Sequence, residues 1–216
     1  RGDPFERDRA RVEGGARFAT SIDLRNRGRA AESVGEMLDE APGLHVRRAG
    51  DGFAPQSMTL RGAPAAHVTV ALDGVVLNDA ATDGVDLSLL PPSLVERADI
   101  YRGSAPVRLG VSGLGGALEL VTRRPSSPVT VWFSGGAGSF GARRTTGFVG
   151  ANGRRLQGLL AVSYRGSDGD YPFYDDHGTP TNIGSESIRQ NNASDALDVL
   201  YRACVRFDVL GEQPVC

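Results

Sequence analysis

Residues 195–209 sort their side chains into two alternating sets. From Leu197 onward the odd positions are apolar, and the charged residues fall on even ones. The apolar set is Leu197, Val199, Tyr201, Ala203, Val205, Phe207 and Val209, and the charged set includes Asp198, Arg202, Arg206 and Asp208. A helical repeat would leave Val199, Val205 and Phe207 on a polar face, so a period of two residues fits better. The pattern predicts a β-strand with one apolar and one polar face.

The same alternation occurs earlier in the chain. It covers "VTVWFSGGAG" and "LQGLLAVSYR", and the weaker strand "RRTTGFVGANG" between them runs into a predicted hairpin turn at Asn152-Gly153. Three of these four strands have roughly the ~9–11 residues that a tilted strand needs to cross a bilayer. No other segment offers a surface to cover so long an apolar face. Contact with lipid is therefore predicted, and an antiparallel sandwich is the alternative.

The chain before Pro125 shows a different pattern, in which short helical and strand signals follow one another. Ser33 and Glu36 have the spacing of a capping box, and Pro42-Gly43 ends the predicted helix. Predicted strands are "SMTLRG", the hairpin "HVTVALDGVVLND" with its turn at Asp73-Gly74, Glu96 to Tyr101, and Ala117 to Thr122.

Residues 17–125 are thus predicted to form a small α+β domain, and residues 126–216 a run of antiparallel strands. Residues 1–16 are charged and poor in apolar side chains, so a mobile N-terminal lead is expected there. Gly115 and Gly116 are predicted to allow two backbones to approach closely where the last strand of the domain begins.

Composition excludes some functions and leaves others open. The net charge of -2 gives no case for a nucleic-acid partner. The three histidines lie far apart in sequence, and no serine has a GxSxG setting, so no enzyme is expected. Cys204 and Cys216 are the two cysteines, and either a disulfide or two free thiols fits the sequence.

Several short segments follow one another in a fixed order: "EMLDEAPGLHV", "LRG", "VALDGVVLN", "LPPSLVERADIYRG" and "GVSGLGGALELVTRRP". Together they closely resemble the plug domain of TonB-dependent outer-membrane receptors, nearest to the vitamin B12 and siderophore receptors. The resemblance implies an α+β plug domain, with a small mixed sheet and short helices, over residues 17–125. Antiparallel β strands of an incomplete transmembrane β-barrel would then follow over residues 126–216.

The resemblance also implies a function. It predicts active uptake of a scarce nutrient, such as a metal-siderophore or cobalamin, through the outer membrane of a Gram-negative cell. A TonB-type energy-transducing protein would pull on the N-terminal segment, and no cofactor is required. A soluble periplasmic plug-like binding or signalling module, or a non-functional receptor fragment, is the alternative.

Two features depart from the family's pattern. No convincing TonB box precedes Arg17, and only about four barrel strands are present, whereas closed bacterial barrels have at least about 8. We therefore expect a truncated receptor that keeps an intact plug and an N-terminal slice of the barrel.

The candidate ligand-binding residues lie in two loops, residues 49–57 and 78–84, which the resemblance places at the outward tips of the plug. Phe53 can stack on a ligand ring, and the polar side chains can hydrogen-bond to it. Loop tips without a ligand are the alternative. The candidates are Asp51, Phe53, Gln56, Asn78, Asp79, Thr82 and Asp83.

Arg61 and Arg102 each precede a glycine at the end of a predicted strand. A guanidinium group there can reach past the strand end and pair with a carboxylate through two hydrogen bonds. The resemblance implies that these arginines contact acidic residues on the inner wall of the barrel. Arginines in solvated turns are the alternative.

The segment "GSDGDYPFYDDHGTPTNIGSES" is rich in acidic side chains. It follows the third long strand, which would place it outside the cell with the short Asn152-Gly153 turn inside. Oxygen ligands suit Ca²⁺, although the spacing is not that of an EF-hand, and a solvated acidic loop is the alternative. The candidate ligands are Asp168, Asp170, Asp175 and Asp176, with His177 beside them.

Overall fold

The computed structural model describes residues 9–10, 12, 14, 18–25, 33–48, 54–78, 84–103, 106–109, 114–125, 127–175, 178, 184–189 and 193–205. The chain divides into two compact units, residues 1–124 and residues 125–216.

The first unit contains a five-stranded mixed sheet. Its strands are β1 (Ala19–Asp23), β4 (Val68–Leu72), β5 (Val75–Val76), β6 (Val95–Tyr101) and β7 (Gly116–Thr122), in the order β1-β6-β7-β4-β5. Strand β7 runs parallel to β4, and the other neighbouring strands are antiparallel. Two further strands, β2 (Leu44–Arg48) and β3 (Gln56–Leu60), form a separate antiparallel hairpin.

One short α-helix, α1 (Val34–Leu38), begins where the sequence predicted it. The Ser33 hydroxyl accepts a hydrogen bond from the Glu36 amide at 3.1 Å, which confirms the N-cap. The other helical segments are single 3₁₀ turns at Ala65–His67, Leu87–Leu89, Pro92–Leu94 and Val107–Leu109. No helix in the described ranges is long and apolar enough to cross a membrane.

The apolar core of the first unit lies on one face of the five-stranded sheet. Buried side chains of α1 and of the β2–β3 hairpin pack there against side chains of β4, β6 and β7. Each such side chain contributes about 1.5–3 kcal/mol when it is fully buried. The core includes Met37, Leu38, Met58, Leu60, Val70, Ile100, Leu118 and Leu120.

The turn at Asp73-Gly74 confirms the predicted hairpin. Both residues have positive φ, 49° and 85°, as a type I′ turn requires. The Asp73 carboxylate also accepts hydrogen bonds from the backbone and the hydroxyl of Thr122 at the end of β7. The turn therefore also hydrogen-bonds to the end of β7, which lies two strands away from β5 in the sheet.

The N-terminal segment differs from the mobile lead that the sequence suggested. Its described residues, Arg9, Ala10, Val12 and Gly14, are helical, and Val12 is buried. Val12 packs in a second apolar cluster with Ala71, Tyr101, Leu109 and Ala117. Phe5 and Val12 are the only large apolar side chains among many charged ones in residues 1–16, so they gave no periodic signal and the contact of Val12 was missed.

The second unit contains a four-stranded antiparallel sheet. Its strands are β8 (Val129–Ala137), β9 (Arg143–Asn152), β10 (Leu156–Ser167) and β13 (Ser194–Val205). They lie in the order β13-β10-β9-β8. Within the long loop lies a short hairpin that the sequence did not predict, formed by β11 (Pro172–Asp175) and β12 (Ser185–Ile188). The β9–β10 hairpin is present, but Asn152 ends β9 and the turn residues are Gly153–Arg155.

The two faces of this sheet carry the predicted sorting of side chains. In β13, Leu197, Val199 and Tyr201 are 68%, 64% and 72% exposed, while the alternate residues are less accessible. The exposed large apolar side chains of β8, β9 and β10 lie on the same face, in rows such as Val131–Val149–Leu160–Tyr201. Within the described residues, no second sheet covers this apolar face, as a sandwich would require.

The opposite face of the sheet is largely buried and mostly polar, although it also carries Trp132, Phe148 and Leu159. Thr146 and Ser163 share a hydrogen bond of 2.9 Å between their hydroxyl groups, and Arg165 lies 3.5 Å from Asp198. Cys204, also on this face, is buried and disulfide-bonded. The fold class predicted from the sequence, an α+β domain followed by antiparallel strands without a closed barrel, is confirmed.

Candidate functional site

Arg61 and Arg102 lie side by side in the first unit, although 41 residues separate them in sequence. We call these two residues the arginine pair. Arg61 occupies a two-residue turn with Gly62, in which both have positive φ, and its Nη1 donates to the Arg102 carbonyl oxygen at 2.7 Å. Strand ends distant in sequence thus bring two guanidinium groups together.

Arg102 is held mainly by oxygen atoms of its own unit. Its Nε donates to the Pro42 carbonyl oxygen at 2.9 Å, and its Nη1 donates to the Thr20 hydroxyl at 2.6 Å. Its Nη2 is buried and has no hydrogen-bond partner in the described part of the chain. Burial lowers the pKa of Arg102, and the charge of Arg61 lowers it further.

The arginine pair places two positive charges next to each other. Within the described ranges, neither arginine forms a salt bridge with a carboxylate. Two neighbouring positive charges with an unsatisfied buried donor favour an acidic partner. The predicted contact with barrel carboxylates stays a prediction.

Gln56 differs from the expectation of an accessible ligand-binding side chain. It is 1% exposed and lies against α1, where a Cβ on Gly35 would overlap the Gln56 Oε1 atom. Its backbone amide donates to the Asp86 carboxylate at 2.9 Å. Gln56 cannot reach a ligand from this position without a local opening of the fold.

Asn78 has a structural role in the first unit. Its Oδ1 accepts from the Val70 amide at 2.7 Å, and its Nδ2 donates to the Val68 carbonyl oxygen at 2.9 Å. The side chain amide thus continues the β4–β5 pairing after β5 ends. A polar residue in a loop gives no sequence sign of this backbone pairing, and the role of Asn78 in ligand binding stays a prediction.

The other candidate ligand residues, Asp51, Phe53, Asp79, Thr82 and Asp83, lie outside the described residues. Their role in ligand binding stays a prediction.

The acidic loop is described only in part. Asp168 forms a surface salt bridge of 3.1 Å with Arg143, Asp170 is exposed, and Asp175 ends β11. Asp176 and His177 lie outside the described residues. Among the residues that are described, no three His, Cys, Asp or Glu side chains are grouped to hold a metal ion. Calcium binding in this loop stays a prediction.

A buried polar network lies on the second face of the five-stranded sheet, and it was not predicted from the sequence. Asp99 is fully buried, accepts from the Ser21 hydroxyl at 2.6 Å and pairs with Arg97 at 3.1 Å. Glu119 faces Asp99 on the neighbouring strand and accepts from the Tyr101 hydroxyl at 3.4 Å. Polar residues alternate with apolar ones in "RADIY" and "LEL", and this period of two was the available signal.

Protonation of Asp99 should affect the stability of the first unit. Burial raises the pKa of the Asp99 carboxyl, although the Ser21 hydrogen bond and the Arg97 charge oppose this. A carboxyl with a raised folded-state pKa stabilises the fold below its unfolded pKa of about 3.9 and loses this contribution as the pH rises through the folded pKa. We expect the stability of the wild type, relative to Asp99→Asn, to be greater near about pH 4 than near about pH 7.

Chemical denaturation of the chain in detergent at both pH values measures this difference. Burial also raises the pKa of Glu96, but Glu96 is common to both proteins and cancels. Asp39→Asn is the matched control, because Asp39 pairs with Arg48 at the surface at 3.2 Å. A relative stability of the wild type that increases with pH would contradict the assignment.

Comparison with known proteins agrees with this architecture. Residues 17–117 match the family described as the TonB-dependent Receptor Plug Domain. The match lies within the first unit and covers just under half of the chain, so the first unit is similar to the plug domain of TonB-dependent receptors.

Two relatives illustrate the similarity. The chain is 31% identical over 140 residues to the vitamin B12 transporter BtuB of Photobacterium profundum, a match that covers 64% of this chain and 23% of that protein. The siderophore receptor PirA from Acinetobacter baumannii has a similar fold, with a TM-score of 0.63 and 16% identity over 91% of this chain and 30% of PirA.

A third similar structure is the ferric yersiniabactin uptake receptor FyuA from Yersinia pestis, with a TM-score of 0.57 and 19% identity. This match covers 87% of the chain and 28% of FyuA. The chain thus spans less than a third of the length of each of these three relatives.

Proposed function

We propose that this chain is the plug domain and first barrel strands of an outer-membrane receptor that takes up a scarce nutrient. The nutrient is a metal-siderophore, cobalamin or a similar chelate, and a TonB-type protein supplies the energy. The chain binds and transports without making or breaking covalent bonds. The receptor lies in the outer membrane of a Gram-negative cell, and its partners are the nutrient and the TonB-type protein.

The exposed apolar face of the second unit is the observation that carries the proposal. It follows a plug domain directly in sequence and extends over four strands. Water does not favour so large a contiguous apolar surface, whereas the acyl chains of lipid do. The buried polar face suits the interior of a barrel.

The names of the relatives support the class of ligand. They are a vitamin B12 transporter, a siderophore receptor and a ferric yersiniabactin uptake receptor, and a further similar structure is the copper transporter OprC, with a TM-score of 0.63. The names of FyuA and OprC refer to a metal, iron or copper, and the names of BtuB and PirA refer to a vitamin and a siderophore. We propose the same class of ligand for this chain.

Fractionation of the native product tests the location. We expect the complete receptor in the outer membrane, with a gel mobility that changes on heating, as for a folded barrel. Recovery of the full product in the soluble periplasm would favour the alternative, a plug-like binding or signalling module. Absence of any stable product would favour a non-functional fragment.

Uptake of labelled cobalamin and of labelled ferric siderophores tests the transport function and the arginine pair together. In cells without other receptors, we expect uptake of one ligand that requires the TonB-type protein. Arg61→Glu should abolish this uptake, because it removes one positive charge of the arginine pair and adds a carboxylate that repels the acidic partner proposed for the pair.

Arg47→Glu is the matched control, since Arg47 is an exposed arginine of the same unit on β2. It should leave uptake close to that of the wild type at an equal amount of receptor in the membrane. Equal uptake by both variants would contradict the role of the arginine pair but not transport itself.

A further inference from the structure

The exposed apolar face of the second unit has a sharp end along β10. Its rows of side chains run from Leu156–Val205, through Val131–Val149–Leu160–Tyr201, to the row that contains Tyr164 and Leu197. We call these rows the apolar band. The next outward row contains the charged residues Arg143 and Asp195.

Tyr164 joins the apolar band to this charged row. Its hydroxyl donates to Asp195 Oδ1 at 2.5 Å. The ring runs over Gly166, where a Cβ would lie 2.8 Å from the Tyr164 hydroxyl oxygen. Beside it, Arg143 pairs with Asp168 at 3.1 Å. A tyrosine with an apolar body and a hydrogen-bonded polar tip is typical of a membrane–water interface.

The opposite end of the apolar band is also marked by charge. Arg154 and Arg155 are exposed in the short turn that precedes β10. Leu156, the first residue of the band, follows them directly and is 61% exposed. Arginines beside an apolar surface keep their charged heads in the polar layer of a membrane.

The length between these two ends matches a bilayer. Strand β10 rises about 3.3 Å per residue, so the step from position 155 to position 164 spans about 30 Å along the strand. A strand tilt of about 40° reduces this span to about 23 Å along the membrane normal. The apolar band of an outer-membrane barrel is about 25 Å tall.

We infer that the hydrocarbon layer of the membrane contacts this chain between Arg155 and Tyr164. Tyr164, Asp195 and Arg143 lie at the head-group level on the side of the long loop, and Arg154 and Arg155 lie at the head-group level on the side of the short turn. This inference rests on the proposed function, and it adds the depth of each row in the bilayer.

Tryptophan fluorescence in vesicles tests the depth of each row. Single-tryptophan variants of the complete receptor, in which Trp132 and every other native tryptophan are replaced by phenylalanine, carry Leu156→Trp, Leu160→Trp or Tyr164→Trp. The vesicles contain lipids brominated either near the head group or deep in the acyl chains. We expect the deep bromines to quench Leu160→Trp most strongly, and the shallow bromines to quench Leu156→Trp and Tyr164→Trp most strongly.

The native Trp132 is the built-in control. It lies on the face opposite the apolar band, where it stacks on Phe148 with ring centroids 5.7 Å apart, so neither lipid should quench it strongly in a variant that keeps Trp132 as its single tryptophan. Absence of quenching of Leu160→Trp by both lipids would overturn the proposed membrane location itself. Stronger quenching of Tyr164→Trp or Leu156→Trp by the deep bromines would overturn the assigned boundaries alone.

Discussion

Replacement of Gly116 by alanine should lower the free energy of unfolding of the first unit by about 3–5 kcal/mol, because two costs add at this residue. Its φ of 117° is a conformation that residues with a side chain rarely adopt. A Cβ would also overlap the Tyr101 carbonyl oxygen and lie 2.7 Å from Leu60 Cδ2. Both neighbours are buried, so neither can move away easily.

Gly62→Ala separates the two costs. Gly62 also has a positive φ, of 83°, but a Cβ there would meet no atom within 4 Å. Alanine at position 62 should therefore cost only about 1–2 kcal/mol, through backbone strain alone. Chemical denaturation of both variants in detergent gives the comparison. Equal losses of stability would show that the close contact with Tyr101 and Leu60 is not important.

Replacement of Val162 by arginine should reduce the stability of the complete receptor in a membrane by about 2–4 kcal/mol. Val162 lies in the middle of the apolar band, in register with Gly147 and Val199. An arginine at this depth would place a charge in hydrocarbon, where neither water nor a carboxylate compensates it. The fraction of heat-modifiable receptor in vesicles, measured against urea concentration, reports the loss.

Thr145→Arg is the depth control for this experiment. Thr145 faces the same side of the sheet as Val162 but lies in the row of Tyr164, at the end of the apolar band. Arginine near an interface costs only about 0–1 kcal/mol. If Thr145→Arg were as harmful as Val162→Arg, the sensitivity would not come from burial in lipid.

Local sequence patterns predicted many of the strands and turns of the fold. The alternation in β8, β10 and β13 is visible in the sequence because each long strand places every second residue on one face. The Asp73-Gly74 turn is equally local, since two residues set its type. Strands β1 and β2 gave weaker signals, because they are only five residues long and carry polar side chains at several positions.

The candidate site depended much more on tertiary structure. Nothing local in the sequence shows that Gln56 packs under Gly35 or that Asn78 bonds to the backbone of β4. Both residues have polar side chains in or beside a loop, and a buried partner is chosen by the path of distant segments. The same holds for Val12, whose burial depends on β4, β6 and β7.

The sequence by itself determined the order of the two units, the strands with sorted faces and the plug-like motifs, because these follow from the spacing of neighbouring residues. Only the tertiary structure decided that Arg61 and Arg102 meet, that Asp99 and Glu119 share a buried face, and that Gly116 has no space for a side chain. These contacts join residues up to tens of positions apart. Their energies depend on packing and burial, which the spacing of residues along one strand does not set.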